Sequence, residues 1–265
     1  MICNVSPDEC PVVKVNGRTD LKIKKPGASY KEYLHLLTSD PGIEHAYQTL
    51  LDNFYLPNWN RPLKTILVTS TQPEEGKSTV TVMLALTAVM AGKRVLLIDA
   101  DLRKPKVHEL LRVDNNVGLG DFLAGQVGVH DAIRAVEISP ASSDGVARSL
   151  SVITSGSVHT TNTLLSMGTA KLKGLLEELA PQFDFVFLDS SPVLAVADPL
   201  FIAPMADGII LIAAVGLVAE KDAKRAKERI EQAGGRILGV VMNRFNEKLH
   251  GPGHHPYYQG YDGKA

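Results

Sequence analysis

Gly76, Lys77, Ser78 and Thr79 are the residues of this chain best placed to do chemistry on a phosphate. A lysine in such a run supplies a point charge to the β/γ-phosphates, and the hydroxyl after it can ligate Mg²⁺. The full stretch is Ser70-Thr71-Gln72-Pro73-Glu74-Glu75-Gly76-Lys77-Ser78-Thr79, with Thr71 where the usual pattern opens on glycine. Backbone N–H groups of the loop, and the free ones at the start of a following helix, converge on phosphate oxygens. Thr71, Pro73, Glu75, Gly76, Lys77, Ser78 and Thr79 are therefore the expected nucleotide-binding residues of the loop.

Three aspartates stand where such a loop needs acids. Val95-Leu96-Leu97-Ile98 runs into Asp99-Ala100-Asp101-Leu102-Arg103, and Phe185-Val186-Phe187-Leu188 runs into Asp189. Magnesium keeps several waters and takes one or two carboxylates plus substrate oxygens, so Ser78, Asp99 and Asp189 are the expected metal ligands. Asp99 and Asp101 leave the strand end on different sides. One can bind a metal water while the other accepts a proton from an attacking hydroxyl, and either could instead cap the helix after Pro105. Arg103 and Lys104 add two cations, which could hold phosphate in a transition state or pair with Asp101. Lys77, Asp99, Asp101 and Arg103 form the expected catalytic set.

The elements that carry these residues alternate. Thr65 to Thr69 reads as a buried strand before the loop, and Val80 to Met90 as a helix after it. Further strands are expected at Arg94–Asp99, Leu150–Thr154, Phe183–Leu188, Gly208–Val215 and Ile237–Met242. Helices are expected at 105–112 and 118–124. Another is marked by Leu172, Leu175, Leu176 and Leu179, and a charged one carries Ala219, Ala223, Ala226, Ile230 and Ala233 on one face. Before the first strand, Asp40-Pro41-Gly42 opens a helix whose apolar stripe is Ile43, Ala46, Tyr47, Leu50, Leu51 and Phe54. Apolar strands alternating with helices predict an α/β fold, a mostly parallel doubly wound sheet with helices on both faces. Ligands sit at the carboxyl ends of the strands in such sheets, where the loop and acids fall.

Composition narrows the class. The 265 residues are 45% hydrophobic, enough for one sizeable core. With 28 basic and 29 acidic residues the formal net charge is −1, which argues against a nucleic-acid partner. The two cysteines, Cys3 and Cys10, lie together near the start, so a disulfide framework is not expected and the usage fits a reducing cytoplasm. No cysteine follows Cys10 to hold an iron–sulfur cluster. The N-terminal residues lack the basic start and apolar core of a signal peptide. No apolar run reaches the ~18 residues of a membrane span.

Three regions are expected: a flexible leader over 1–40 with little periodicity, one P-loop domain over 41–245, and a flexible tail over 246–265. The tail is rich in glycine, proline and histidine, yet holds Tyr257, Tyr258 and Tyr261, three of the seven tyrosines. Aromatic side chains there have no packing role.

The loop, the D-x-D-x-R segment and the third aspartate together resemble the bacterial tyrosine kinases of polysaccharide biosynthesis. The likeness continues through Lys104-Pro105, His108, Gly118-Leu119, Asp121, Leu123-Ala124-Gly125, Asp189-Ser190-Ser191-Pro192-Val193-Leu194 and Gly239-Val240-Val241-Met242-Asn243-Arg244. It implies a P-loop NTPase of the nucleotide-switch type, with ATP and Mg²⁺ as cofactors. Lys77, Ser78, Asp99, Asp101 and Asp189 would be the Walker residues, and Asn243, with Arg244 beside it, would lie at the adenine. It implies ATP-dependent phosphorylation of the tail tyrosines on a neighbouring copy, with a tyrosine phosphatase reversing it. It also implies activation by a separate transmembrane polysaccharide co-polymerase, which would hold the chain at the inner face of the membrane.

The chain departs from that family in places. His45, Gln48 and Leu51 stand where a charged E-x-x-R-x-x-R pattern serves ring assembly, so a monomer or weak oligomer is expected. Glu74 stands where the loop usually has glycine, and the N-P-x-E-L-L segment is reduced to Asn162-Thr163-Leu164-Leu165. Two other functions compete. One is a switch ATPase like the septum-site and partition proteins, although Gln72 occupies the place of their additional loop lysine. The other is a catalytically weak ATP-binding regulator of a polymerase.

Overall fold

In the computed structural model the described residues are 12–14, 30–56, 62–138, 147–157 and 168–244. Helix α1 (Tyr30–Ser39) and α2 (Pro41–Asp52) precede the central strand β2 (Thr65–Ser70), and α3 (Lys77–Met90) follows it. Next come β3 (Val95–Asp99), α4 (Val107–Leu111), α5 (Leu119–Leu123), α6 (Val129–Ala132), β4 (Ile133–Ile138) and β5 (Arg148–Ile153). The chain continues with α7 (Thr169–Leu179), β6 (Phe185–Asp189), α8 (Asp198–Ile202), β7 (Gly208–Ala214), α9 (Glu220–Gln232) and β8 (Ile237–Asn243). With β1 (Val12–Lys14), the strands form one eight-stranded sheet in the order β1-β8-β7-β2-β6-β3-β5-β4. Every pairing is parallel except β4 with β5.

The unbroken apolar strands are explained by burial on both faces. Ile66 and Val68 of β2, Val95 and Leu97 of β3, and Phe185 and Phe187 of β6 face one side, with α1 to α4. Leu67, Leu96, Ile98, Val186 and Leu188 face the other, with α5, α7 and α9. Burying one such side chain stabilises by about 1.5–3 kcal/mol, so neither face could be left to water. Because β2 lies between β7 and β6, the chain must cross to reach β3, and the strand order reverses beside the phosphate loop.

Two expectations need correction. The leader reading over 1–40 fails for Tyr30–Ser39, which is helix α1 with Tyr33 and Leu37 buried, and Val12–Lys14 pairs with β8 as an outer strand. The cause is α3. Its residues Val80 to Val89 are buried all round, and a helix apolar on every side needs a second layer over it. Helices α1 and α2 supply that layer. Asp40 divides them and caps α2, its carboxylate accepting from the N–H of Gly42 at 2.9 Å and of Ile43 at 3.3 Å. The second correction is β4, which was not expected as a strand and adds an antiparallel edge to an otherwise parallel sheet. Leu51, one of the three positions weighed for ring assembly, is buried in the core, while His45 is exposed.

Candidate active site

The loop between β2 and α3 is held by side chains from distant strands. Gly76, at φ +87°, turns the chain into α3, and Glu74 takes a left-handed φ of 66° at the place where the resemblance puts glycine. A Cβ on Gly76 would run into the Asn243 amide nitrogen. Asn243 donates that amide to the Glu75 carbonyl at 2.8 Å, and Arg244 donates to the Glu74 carbonyl at 2.7 Å. Glu75 points inward. Its carboxylate accepts from the Gln72 N–H at 2.8 Å and from the Ala214 N–H at 3.3 Å, tying the loop to the end of β7. Burial pushes the Glu75 carboxyl up, against those backbone donors. Pro73 is exposed and Thr71 is buried, its hydroxyl without a hydrogen-bond partner. Burial pushes the Tyr33 phenol of α1 up, and Thr79, in the first turn of α3, offsets part of that rise.

Below the loop the acids converge on Lys77. The register sets Asp99 beside Asp189 at the ends of β3 and β6. The Lys77 ammonium lies 2.9 Å from Asp101 Oδ2 and 3.7 Å from Asp189 Oδ2, and donates to the Ser78 hydroxyl at 3.1 Å. Burial alone would lower the Lys77 pKa, but Asp189, Asp101 and Asp99 together hold it above the ordinary lysine value. Asp99 and Asp189 are fully buried, and burial raises both; for Asp99 the repulsion from Asp189 adds to this. Three carboxylates around one lysine leave the pocket short of positive charge.

The two aspartates of the D-x-D segment have distinct surroundings. Asp99 Oδ2 accepts from the Lys106 and Val107 N–H groups at 3.1 and 3.0 Å, so this residue caps α4. Asp101 is turned toward Lys77 and accepts from the Ser191 hydroxyl at 2.6 Å and the Lys104 N–H at 3.1 Å. Arg103 reaches Asp198: its Nε donates to Asp198 Oδ2 at 2.6 Å, across to the start of α8. Ser191 and Asp198 were not expected at the site. The D-S-S-P run after β6 was the signal for Ser191, whereas no motif marked Asp198.

The site fits a hydrated Mg²⁺. Asp189 Oδ2 is buried without a hydrogen-bond partner, and Ser78 lies at its side. Among the described residues no three His, Cys, Asp or Glu side chains are arranged to hold a metal by themselves. Tyr257, Tyr258 and Tyr261 lie outside the described residues. No helix of the described residues is long and apolar enough to cross a membrane.

Residues 66–261 match the CobQ/CobB/MinD/ParA nucleotide binding domain. The tyrosine-protein kinase YwqD of Bacillus subtilis is 34% identical over 212 residues, covering 80% of this chain and 84% of the relative. The tyrosine-protein kinase CpsD of Streptococcus pneumoniae is 32% identical over 222 residues, 83% of this chain and 92% of the relative. The kinase domain of the Escherichia coli tyrosine kinase ETK superposes with a TM-score of 0.74 at 26% identity, covering 94% of this chain and 95% of that domain. With a phosphate loop at the switch point of a parallel sheet, three buried acids beneath it, and identities of 34% and 32% to these kinases over most of its length, the chain belongs to the bacterial tyrosine-protein kinase family.

Proposed function

We propose that this chain is an ATP-dependent protein-tyrosine autokinase that phosphorylates Tyr257, Tyr258 and Tyr261 on another copy of itself. The observation that carries this reading is the convergence of Lys77, Asp99, Asp101 and Asp189 beneath the loop. Phosphoryl transfer demands positioning and charge stabilisation more than covalent chemistry, and the loop, Lys77 and the acids provide both. The loop N–H groups and Lys77 bind the β/γ-phosphates. Ser78, Asp99 and Asp189 would hold Mg²⁺, which supplies positive charge to the phosphates when bound. The fine division of work follows from the contacts. Asp99 Oδ2 is occupied by two backbone N–H groups, whereas Asp101 is aimed at the pocket, so Asp101 accepts the tyrosine proton.

Asn243 and Arg244 grip the loop where an adenine would approach it, and Arg103 remains at the rim on Asp198. The tyrosines lie twelve to sixteen residues beyond Phe245. A segment of that length spans about 30 Å or more when extended, enough to reach a second site. In this reading the chain regulates exopolysaccharide or capsule synthesis. It acts in the cytoplasm at the inner face of the membrane, where a separate transmembrane co-polymerase recruits and activates it and a tyrosine phosphatase resets it.

The experiment mixes a Lys77→Met chain with an active chain whose three tail tyrosines are phenylalanine, in Mg-ATP, with and without a co-polymerase cytoplasmic tail. Mass spectrometry should find phosphate on the tail of the Lys77→Met chain. Phosphate confined to chains that are themselves active would make transfer intramolecular. ATP hydrolysis with no tail tyrosine modified would favour the switch-ATPase or regulator instead.

A further inference from the structure

We infer that Ser191 is the positioning residue of the proton acceptor: its hydroxyl, held between three strand ends, aims Asp101 Oδ2 at the position vacated by Lys77 when nucleotide binds. This rests on the kinase reading above and adds a residue to it.

Ser191 is buried two residues beyond the end of β6. Its backbone carbonyl accepts from the Thr69 hydroxyl of β2 at 2.8 Å. Its own hydroxyl donates to Asp101 Oδ1, beyond β3, at 2.6 Å. That length is typical of an O–H donor on an ionised carboxylate, about twice as strong as a neutral hydrogen bond. One serine thus joins β2, β3 and β6 at the point where the loop, the D-x-D segment and Asp189 meet.

The two Asp101 oxygens are set apart by their partners. Oδ1 takes Ser191 and the Lys104 N–H, and Oδ2 faces the Lys77 ammonium at 2.9 Å. When Lys77 turns to the β/γ-phosphates, Oδ2 is left open while Oδ1 stays held. The transfer then balances. The tyrosine oxygen bonds to the γ-phosphorus, the bond from that phosphorus to the bridging oxygen breaks, ADP leaves with that electron pair, and the hydroxyl proton passes to Asp101 Oδ2. Without the Ser191 donor the carboxylate can rotate and present the wrong oxygen, and a misplaced base costs turnover rather than nucleotide affinity.

The neighbouring serine is the control. Ser190 is equally buried, but its hydroxyl donates to the Val68 carbonyl of β2 at 2.9 Å and makes no bond to Asp101. Full-length wild type, Ser191→Ala and Ser190→Ala are compared in Mg-ATP with the co-polymerase tail. Tail phosphotyrosine, released inorganic phosphate and melting temperature are measured in parallel. Ser191→Ala should lower kcat about tenfold with KM for ATP within about twofold, as losing one aimed charged hydrogen bond in a transition state requires. Ser190→Ala should lower the melting temperature as much while kcat stays within about twofold. A Ser191→Ala kcat within twofold of wild type overturns the inference, as does an equal fall in Ser190→Ala or a change confined to KM. If wild type releases inorganic phosphate but modifies no tyrosine, the kinase reading fails alone. The same criteria then apply to hydrolysis, where Asp101 takes the proton of water. Neither product in wild type overturns both.

Discussion

Replacing Lys77 with methionine tests the electrostatic account directly, because its effect must depend on pH. The Lys77 side chain is 11% exposed, and its ammonium lies 2.9 Å from Asp101 and 3.7 Å from Asp189. Removing one partner of a buried ion pair costs about 3–5 kcal/mol, and the slight exposure of Lys77 places the cost near the lower end, about 3 kcal/mol. That cost is limited by protonation. Burial already raises Asp99 and Asp189, and losing the nearby cation raises them further. A carboxyl whose folded pKa is raised contributes full stability below its unfolded value and loses it as pH rises through the folded value. The deficit of Lys77→Met must therefore grow with pH. Without nucleotide or metal, at about pH 9, it should melt about 6–12 °C below wild type, at about 2–4 °C per kcal/mol. Near pH 6 the gap should shrink to less than about half, since a bound proton offsets about 1.4 kcal/mol per pH unit below the shifted pKa. Turnover should fall by about a thousandfold or more at any pH, because the β/γ-phosphates lose their point charge. A melting gap of equal size at both pH values would show that Lys77 acts through packing, and wild-type turnover would remove it from the site.

Asp189→Asn should keep the fold, with a melting temperature within a few degrees of wild type, and shift the Mg²⁺ requirement upward by about tenfold or more; an unchanged titration at low Mg²⁺ would take Asp189 out of the metal site. Gly76→Ala forces a left-handed alanine and pushes the Asn243 amide off the Glu75 carbonyl, so it should destabilise by about 2–3 kcal/mol in urea unfolding. In an Asn243→Ala background the same change should cost about 1 kcal/mol less, and equal costs would refute the contact. With Leu51 buried and with His45 and Gln48 in place of the charged pattern, light scattering at micromolar concentration should give a monomer or weak oligomer. A stable large ring would mean that other surfaces carry the interface.

The loop, its flanking elements, the three acids and the two-faced sheet were legible in the amino-acid order. Each is a local signal: a strand buried on both faces must be apolar throughout, and a loop that binds phosphate through its own backbone needs consecutive residues. Helix α1 was not read from the sequence because residues 1–40 as a whole show little periodicity, although Tyr30, Tyr33, Leu34 and Leu37 fall at helical spacing. The requirement for a second layer over α3 appears only once α3 is seen to be buried on every side. Strand β4 was missed because an edge strand carries polar residues like any surface segment. What the sequence could not assign was partnership. Arg103 could have met phosphate or Asp101, and its bond to Asp198 joins residues 95 apart in the chain. Asp99 and Asp101 were interchangeable until the backbone N–H groups of Lys106 and Val107 claimed one and Ser191, 90 residues away, claimed the other. A hydrogen bond between two loops depends on where the strands beneath them stop in space, and no periodicity along the chain encodes that position.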